Sequence, residues 1–313
     1  MQKKTLTFLK RAALLTFVAL MILLIISKAR EMDWAEVLQA LRSYDVSGVA
    51  PAFAIAVPAY LACASFDLVG RFATGHSLSV GRTMLISWTG YFFSLNLGAL
   101  IGGLAFRYRL YMPYKLSGMS ITQVIALSVV TNWLGYLLIA GGVLVWEPPA
   151  LPSGWGVTDF FMRGIGVLLL IAALSYIALC AFRGGTAVRW KGSELFLPTM
   201  SVAALQIALS LVSWASIGAV ITWLLGGAVS WMAVMPVLMI SAIAGIWSHI
   251  PSGLGVTEFV FVALLGHQVP DSRLLAAIIV FRIVYYLVPF ALAVLGYAWL
   301  EATAGRIGAV KRR

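Results

Sequence analysis

Apolar residues in this chain neither alternate nor follow a helical period; they are gathered into long blocks. The blocks cover residues 8–27, 48–70, 84–106, 121–146, 164–182, 199–225, 232–267 and 274–299, with short polar stretches between them. A helix crosses the hydrocarbon of a bilayer in about 20 apolar residues. The pattern therefore predicts an all-α polytopic membrane protein, with about six full transmembrane helices and two further elements of a different kind.

Those two elements are interrupted. Residues 84–106 contain Asn96, Gly98, Gly102 and Gly103, and residues 232–267 are broken by His249-Ile250-Pro251-Ser252-Gly253-Leu254-Gly255. Breaks of this kind leave backbone N–H and C=O groups without helical partners, which a bilayer tolerates only where protein or a polar cavity receives them. Gly98 and Gly102 also have the GxxxG spacing that lets two helices pack closely. A second break placed in opposite orientation favours two re-entrant or broken helical hairpins over simple packing.

Lysine and arginine accumulate in cytoplasmic loops, which tests whether residues 84–106 cross the membrane or return. If they return, most of the 22 basic residues are cytoplasmic, among them Lys3, Lys4, Arg71, Arg82, Arg107, Arg109, Lys115, Arg183, Arg189 and Arg306. If they cross, every later segment inverts and the majority moves outside. The returning arrangement is preferred, and it sends 232–267 in from the outer face and back, with both termini cytoplasmic.

The chain then divides into a first half, 1–146, an external linker, 147–163, with no helical period, a second half, 164–300, and a basic cytoplasmic tail, 301–313. The halves run in opposite orientation, as an inverted-topology repeat. Residues 33–46 place Trp34, Val37, Leu38 and Leu41 at helical spacing, which predicts a short amphipathic helix on the outer surface. The first block follows Lys3, Lys4, Lys10 and Arg11 as a secretory signal would, but it exceeds the usual ~7–15 apolar residues and is expected to stay as a helix. Leu151 to Phe160 and Ile250 to Phe259 share a Pro-Ser-Gly-x-Gly-Val-Thr pattern. The copies fall at non-equivalent places, so the echo reads as coincident helix-entry composition.

Composition narrows the function. Of 313 residues, 62% are hydrophobic and 11% charged, which excludes an ordinary soluble domain. The formal charge of +11 would suggest nucleic acid in a soluble protein. Here the basic residues flank apolar blocks, where they orient the chain and meet anionic lipid, so no nucleic acid is expected. Cys63 and Cys180 stand apart within apolar blocks, supplying neither a disulfide framework nor a CxxC site. HExxH, GxSxG, P-loop and metal-spaced Cys/His patterns are absent, so no enzyme activity, metal or cofactor is expected. His76, His249 and His267 are scattered; His249 alone adjoins a break and reads as a hydrogen-bonded structural residue rather than a proton carrier.

Charges inside apolar blocks carry the candidate chemistry, because each costs roughly 2.5–3.5 kcal/mol at the centre of a membrane helix. Glu258 follows the Pro251 break, and Arg282 lies within the last block. Two compatible readings arise: a salt bridge that fixes the second half, or a guanidinium offered to a phosphate while Glu258 balances its charge or senses a cationic group. Arg107, Tyr108, Arg109 and Tyr111 follow the first break, either as interfacial anchors or as a headgroup entrance, with the amides of Gly102 and Gly103 able to receive an anion. Gly253 and Gly255 take the corresponding place in the second break. The candidate binding set is thus Arg107, Arg109, Gly102, Gly103, Gly253, Gly255, Glu258 and Arg282. Tyr285, Tyr286 and Pro289 read as packing residues, with Pro289 kinking the last helix.

The residues Asn96-Leu97-Gly98 with Gly102-Gly103 and Arg107, then Ile250-Pro251-Ser252-Gly253-Leu254-Gly255-Val256-Thr257-Glu258, then Arg282 through Pro289, resemble the transmembrane region of the lysylphosphatidylglycerol synthase/flippase family. The resemblance covers nearly the whole chain, most clearly 84–115 and 240–290. It implies a stand-alone bacterial inner-membrane member and translocation of a phospholipid between leaflets, in the full-length family an aminoacylated phosphatidylglycerol. The family's soluble aminoacyl-transferase domain has no counterpart before the chain ends at Arg313, so lysyl transfer is not expected.

The leading expectation is a phospholipid transporter or flippase of the bacterial inner membrane that binds an anionic lipid headgroup between the two hairpins. One alternative is a non-transporting membrane partner of a lipid-synthesis enzyme. Another is an ion-coupled carrier of a small solute using Glu258 and His249. Membrane phospholipid is the partner expected first, followed by a lipid-synthesis enzyme and a second copy of the chain.

Overall fold

The computed structural model describes residues 34–149, 151, 156–190, 193–248 and 250–310. The expected helix at 8–27, part of the Leu151 echo, His249 and the last three basic residues lie outside them. Among the described residues, six helices are long and apolar enough to cross a membrane: Val46–Thr74, Gly118–Trp146, Asp159–Arg183, Met200–Leu224, Trp231–Ser248 and Asp271–Thr303. The fold is all-α and polytopic.

The predicted amphipathic stretch forms α1 (Trp34–Arg42), with Glu36 in its first turn and Arg42 in its last, each matching the helix dipole. Its Val37 is buried while Trp34 and Leu38 remain exposed. Asp45 then caps α2 (Val46–Thr74) by accepting the Gly48 N–H at 2.9 Å, and Gly75 ends it in a left-handed conformation. Helix α2 is the centre of the bundle. Ala52, Ala56, Ala59 and Cys63 are fully buried along it, and Gly70 lies so close to Val124 that a Cβ would stand 2.5 Å from the Val124 Cα. Small side chains take the place of hydrophobic attraction here, because lipid is as apolar as the core and close packing must drive association.

Helix α3 (Val80–Leu97) ends at Gly98, whose φ of 91° and ψ of 155° belong to a region open essentially to glycine. A π-helical segment, Ala99–Ala105, and the short α4 (Phe106–Tyr111) follow. The chain reverses at Gly98. A Cβ on Gly102 would lie 2.0 Å from the Phe93 carbonyl oxygen, and the rings of Phe93 and Phe106 stand 4.8 Å apart. The first interrupted block is therefore a helical hairpin.

Helix α5 (Gly118–Trp146) packs against α6 (Asp159–Arg183) through the mutual approach of Gly141 and Gly166. Here the expected linker is too long: its last five residues, 159–163, are helical, because the Thr158 hydroxyl accepts the Phe161 N–H and starts the helix early. Helix α6 is peripheral, burying only Met162, Gly166, Ala173 and Cys180. Two short strands, β1 (Ala187–Trp190) and β2 (Ser193–Phe196), pair antiparallel before α7 (Met200–Leu224). No sequence pattern had pointed to this small hairpin.

The second interrupted block forms α8 (Trp231–Ser248) and α9 (Val256–Leu265) around a tight turn. Ser252, Gly253 and Gly255 in that turn all have positive φ. A Cβ on Gly253 would sit 3.4 Å from the Gly245 Cα, so the turn folds back onto α8 at van der Waals distance. The turn packs against α3, which brings the second break onto the first hairpin.

The last block divides into α10 (Asp271–Arg282), a π-helical segment, Ile283–Leu287, and α11 (Val288–Val310). Pro289 has no N–H to return to the Tyr285 carbonyl, and the backbone widens into the π-helical segment just before it. Helix α11 runs on to Val310, so residues 301–310 of the expected tail are helical.

Candidate functional site

Among the described residues, the buried charged side chains are Asp67, Arg107 and Arg282. Glu258 is nearly so. They form two ion pairs, one in each half of the chain.

Arg282, the last residue of α10, meets Glu258 in the first turn of α9. Its Nε and Nη2 donate to the two carboxylate oxygens at 2.5 and 3.0 Å, a side-on bidentate pair. The remaining reach of the guanidinium goes to the turn: Nη1 donates to the Ser252 carbonyl at 2.9 Å and Nη2 to that of Gly253 at 3.0 Å. A turn with three left-handed residues leaves carbonyls that no helix can satisfy, and this arginine satisfies two of them. The ring of Tyr286 lies 5.4 Å from the guanidinium carbon. The side chains of Arg282 and Glu258 stay 10% and 16% exposed, so the pair borders a surface.

Arg107, on α4, is placed differently from its expected interfacial position. Its Nη1 stands 3.2 Å from the Asp67 carboxylate of α2, with the two side chains 5% and 0% exposed. Nη1 also donates to the Ser128 hydroxyl at 2.9 Å, and the side chain crosses Gly90 so closely that a Cβ there would lie 2.2 Å from Nε. Tyr111 donates its hydroxyl to the other Asp67 oxygen at 2.9 Å. Arg107 and Tyr111 are therefore interior residues. An interface position fails for them because the hairpin turns α4 back against α2 and α5, and the nearest carboxylate is inside.

Arg109, two residues on, is placed at the surface of the bundle. It is exposed and pairs with Glu301 of α11 at 2.6 Å, and Tyr297 donates to the same carboxylate at 2.9 Å. Tyr108 shares its hydroxyl with Thr122 and Gly118. Gly102 and Gly103 lie against Phe93 and Ser94, where their role is close packing. Gly253 and Gly255 shape the turn.

Between the two ion pairs runs a polar and aromatic seam. The Ser87 hydroxyl accepts the Asp67 N–H and donates to the Cys63 carbonyl, while the Cys63 thiol is 3.5 Å from the Ser213 hydroxyl and 3.7 Å from that of Tyr285. Tyr285 in turn touches the Tyr91 hydroxyl at 3.3 Å and stacks between Tyr60 and Phe281. Tyr60 donates to the Val284 carbonyl, one of those freed in the π-helical segment. Sequence reasoning missed Asp67 and this seam. Asp67 carried a signal: it is the single charge within 48–70. Tyr60, Cys63, Tyr91 and Ser213 carried none, since each is unremarkable within an apolar block.

The fold and site define a polytopic α-helical membrane protein with two helical hairpins, each held by an arginine paired to a carboxylate. Comparison places it more narrowly. The chain belongs to the family described as the lysylphosphatidylglycerol synthase TM region, whose model matches residues 11–293. It is 39% identical over 310 residues to the inner membrane protein YbhN of Escherichia coli (strain K12), covering 98% of this chain and 95% of that protein. It is 29% identical over 283 residues to the uncharacterized protein slr0712 of Synechocystis sp. (strain ATCC 27184 / PCC 6803 / Kazusa), covering 88% and 86% of the two.

Proposed function

We propose that this protein is a phospholipid transporter of the bacterial inner membrane, carrying a lipid headgroup between leaflets while the acyl chains remain in lipid. The observation that carries this reading is the Arg282–Glu258 pair, a bidentate charge pair 10% and 16% exposed, set on a broken helix in a chain otherwise built for hydrocarbon. An arginine edge already shaped around a planar anion suits a headgroup phosphate. Membership in a family described by lipid synthesis, and the likeness to an inner membrane protein, support the same direction.

In this reading the hairpin of 84–106 enters from the cytoplasmic side and that of 232–267 from the outer side. The halves 1–146 and 164–300 are inverted repeats, and both termini are cytoplasmic. The anionic group recognised is the headgroup phosphate at Arg282, with Gly253 and Gly255 shaping the approach. Arg109 and its neighbours form the cytoplasmic rim, while Arg107, Gly102 and Gly103 support the first hairpin from within. The protein performs no covalent chemistry and uses no cofactor.

The test is transbilayer movement of acyl-chain-labelled phospholipid in vesicles reconstituted with the purified protein alone. Movement that is lost in Arg282→Ala supports transport. Absence of movement, with a lipid-synthesis enzyme co-purifying from native membranes, would instead make the protein a membrane partner of that enzyme. Counterflow of a small solute without lipid movement would point to an ion-coupled carrier.

A further inference from the structure

Each arginine in this core brings its own carboxylate, so the interior is charge-balanced before any lipid arrives. The two pairs differ in what can reach them. Asp67 and Arg107 are closed in by Ser128, Tyr111 and the backbone at Gly90, with side chains 0% and 5% exposed. Glu258 and Arg282 keep 16% and 10% of their side chains accessible, and the neighbouring Leu254 and Ile283 are exposed. Only the second pair can exchange partners with a ligand.

The geometry states what such an exchange needs. Arg282 spends Nη1 on the Ser252 carbonyl and one Nη2 bond on that of Gly253, while its Nε–Nη2 edge faces Glu258. That edge accepts a phosphate in the same two-point fashion, so the turn can keep its clamp while the carboxylate is replaced. A headgroup bearing only negative charge would release Glu258 without a partner beside a second anion, in a medium that penalises a lone charge heavily. A headgroup with an ammonium a few atoms from its phosphodiester supplies both halves of the exchange: phosphate to Arg282, ammonium to Glu258.

We infer that the Arg282–Glu258 pair is a site for a net-neutral, zwitterionic phospholipid whose headgroup carries a primary ammonium close to the phosphodiester, and that it selects against net-anionic phospholipid. The inference rests on the transport reading and names its substrate class. A primary ammonium is specified because its N–H groups can hydrogen-bond the carboxylate.

The experiment measures lipid retention by native mass spectrometry on the purified full chain. The protein is offered equal amounts of phosphatidylethanolamine, phosphatidylglycerol and N-acetylated phosphatidylethanolamine with identical acyl chains. Phosphatidylethanolamine should be retained at least about tenfold better than either anionic lipid. Glu258→Gln, which leaves Arg282 with an unbalanced charge, should reverse the order. Should that variant fail to fold, the wild-type contrast between phosphatidylethanolamine and its N-acetylated form decides alone, since the two differ only at the ammonium. Equal retention of the three lipids by the wild-type protein overturns the inference. Reconstituted vesicles separate the two levels: equal movement of all three lipids leaves transport standing and removes the headgroup rule. Selective retention without movement of any lipid leaves the rule standing and removes transport.

Discussion

Asp67 of α2 and Arg107 of α4 meet at 3.2 Å in the interior, with 0% and 5% of their side chains exposed. Neither charge is tolerable alone at that depth. Removing one partner from a buried pair costs about 3–5 kcal/mol, while replacing both by apolar residues of similar volume is often neutral or stabilising. Asp67→Ala is therefore expected to destabilise the protein by that order, and the double variant Asp67→Leu with Arg107→Met to recover most of the loss. Thermal unfolding in a fixed detergent checks both, and a double variant no more stable than Asp67→Ala would show that the pair does more than neutralise charge.

Arg282 clamps the turn at Ser252 and Gly253 as well as binding Glu258. Arg282→Ala should insert into the membrane yet lose lipid movement, because the turn at Ser252 and Gly253 is released along with the phosphate site. Arg282→Lys keeps the charge but lacks the planar fork, so movement is expected to fall by about tenfold or more. Rates in reconstituted vesicles, alongside membrane yield, distinguish failed transport from failed insertion.

The first hairpin depends on absent methyl groups. Gly90→Ala would place a Cβ 2.2 Å from Arg107 Nε, and Gly102→Ala one 2.0 Å from the Phe93 carbonyl oxygen. Overpacking of this kind costs about 1–3 kcal/mol, and more where the obstructing atom is backbone. Gly103→Ala meets only Ser94, at 3.0 Å and beyond, and is expected to be milder. The order of melting temperatures should be wild type, Gly103→Ala, then the other two.

Orientation is testable from one side. In a background with Cys63→Ala and Cys180→Ala, Val157→Cys should react with an impermeant thiol reagent added outside intact cells. Met112→Cys, more exposed in the fold at 66% against 37% for Val157, should react only after permeabilisation. The opposite result would invert the arrangement of both hairpins.

Asp45 caps α2 from a solvent position. Its side chain accepts from the Ser47 hydroxyl and the Gly48 N–H, which hold its carboxyl pKa below the ordinary value. A carboxyl with a lowered folded-state pKa contributes stability above its unfolded pKa and loses it as pH falls through the folded one. The melting-temperature advantage of the wild type over Asp45→Ala should accordingly be full at pH 7 and vanish in acid.

Membrane crossings could be read directly because hydrocarbon makes each segment satisfy its own backbone, so composition over some 20 residues is already the answer. The two breaks were legible for the same reason: Gly98 and the Pro251–Gly255 run carry their backbone freedom with them. Glu258 and Arg282 stood out as charges in apolar blocks. Asp67 satisfied the same rule and was missed, and its consequence depended on a partner from another helix. The position of Arg107, the seam through Cys63 and Tyr285, and the helical start of α6 at Asp159 also lay beyond local reading. The sequence by itself determined where the chain enters hydrocarbon and where its helices must break. Tertiary structure decided which charge meets which, because electrostatic pairing and close packing act between segments far apart in the chain, and no local pattern records the distance that folding closes.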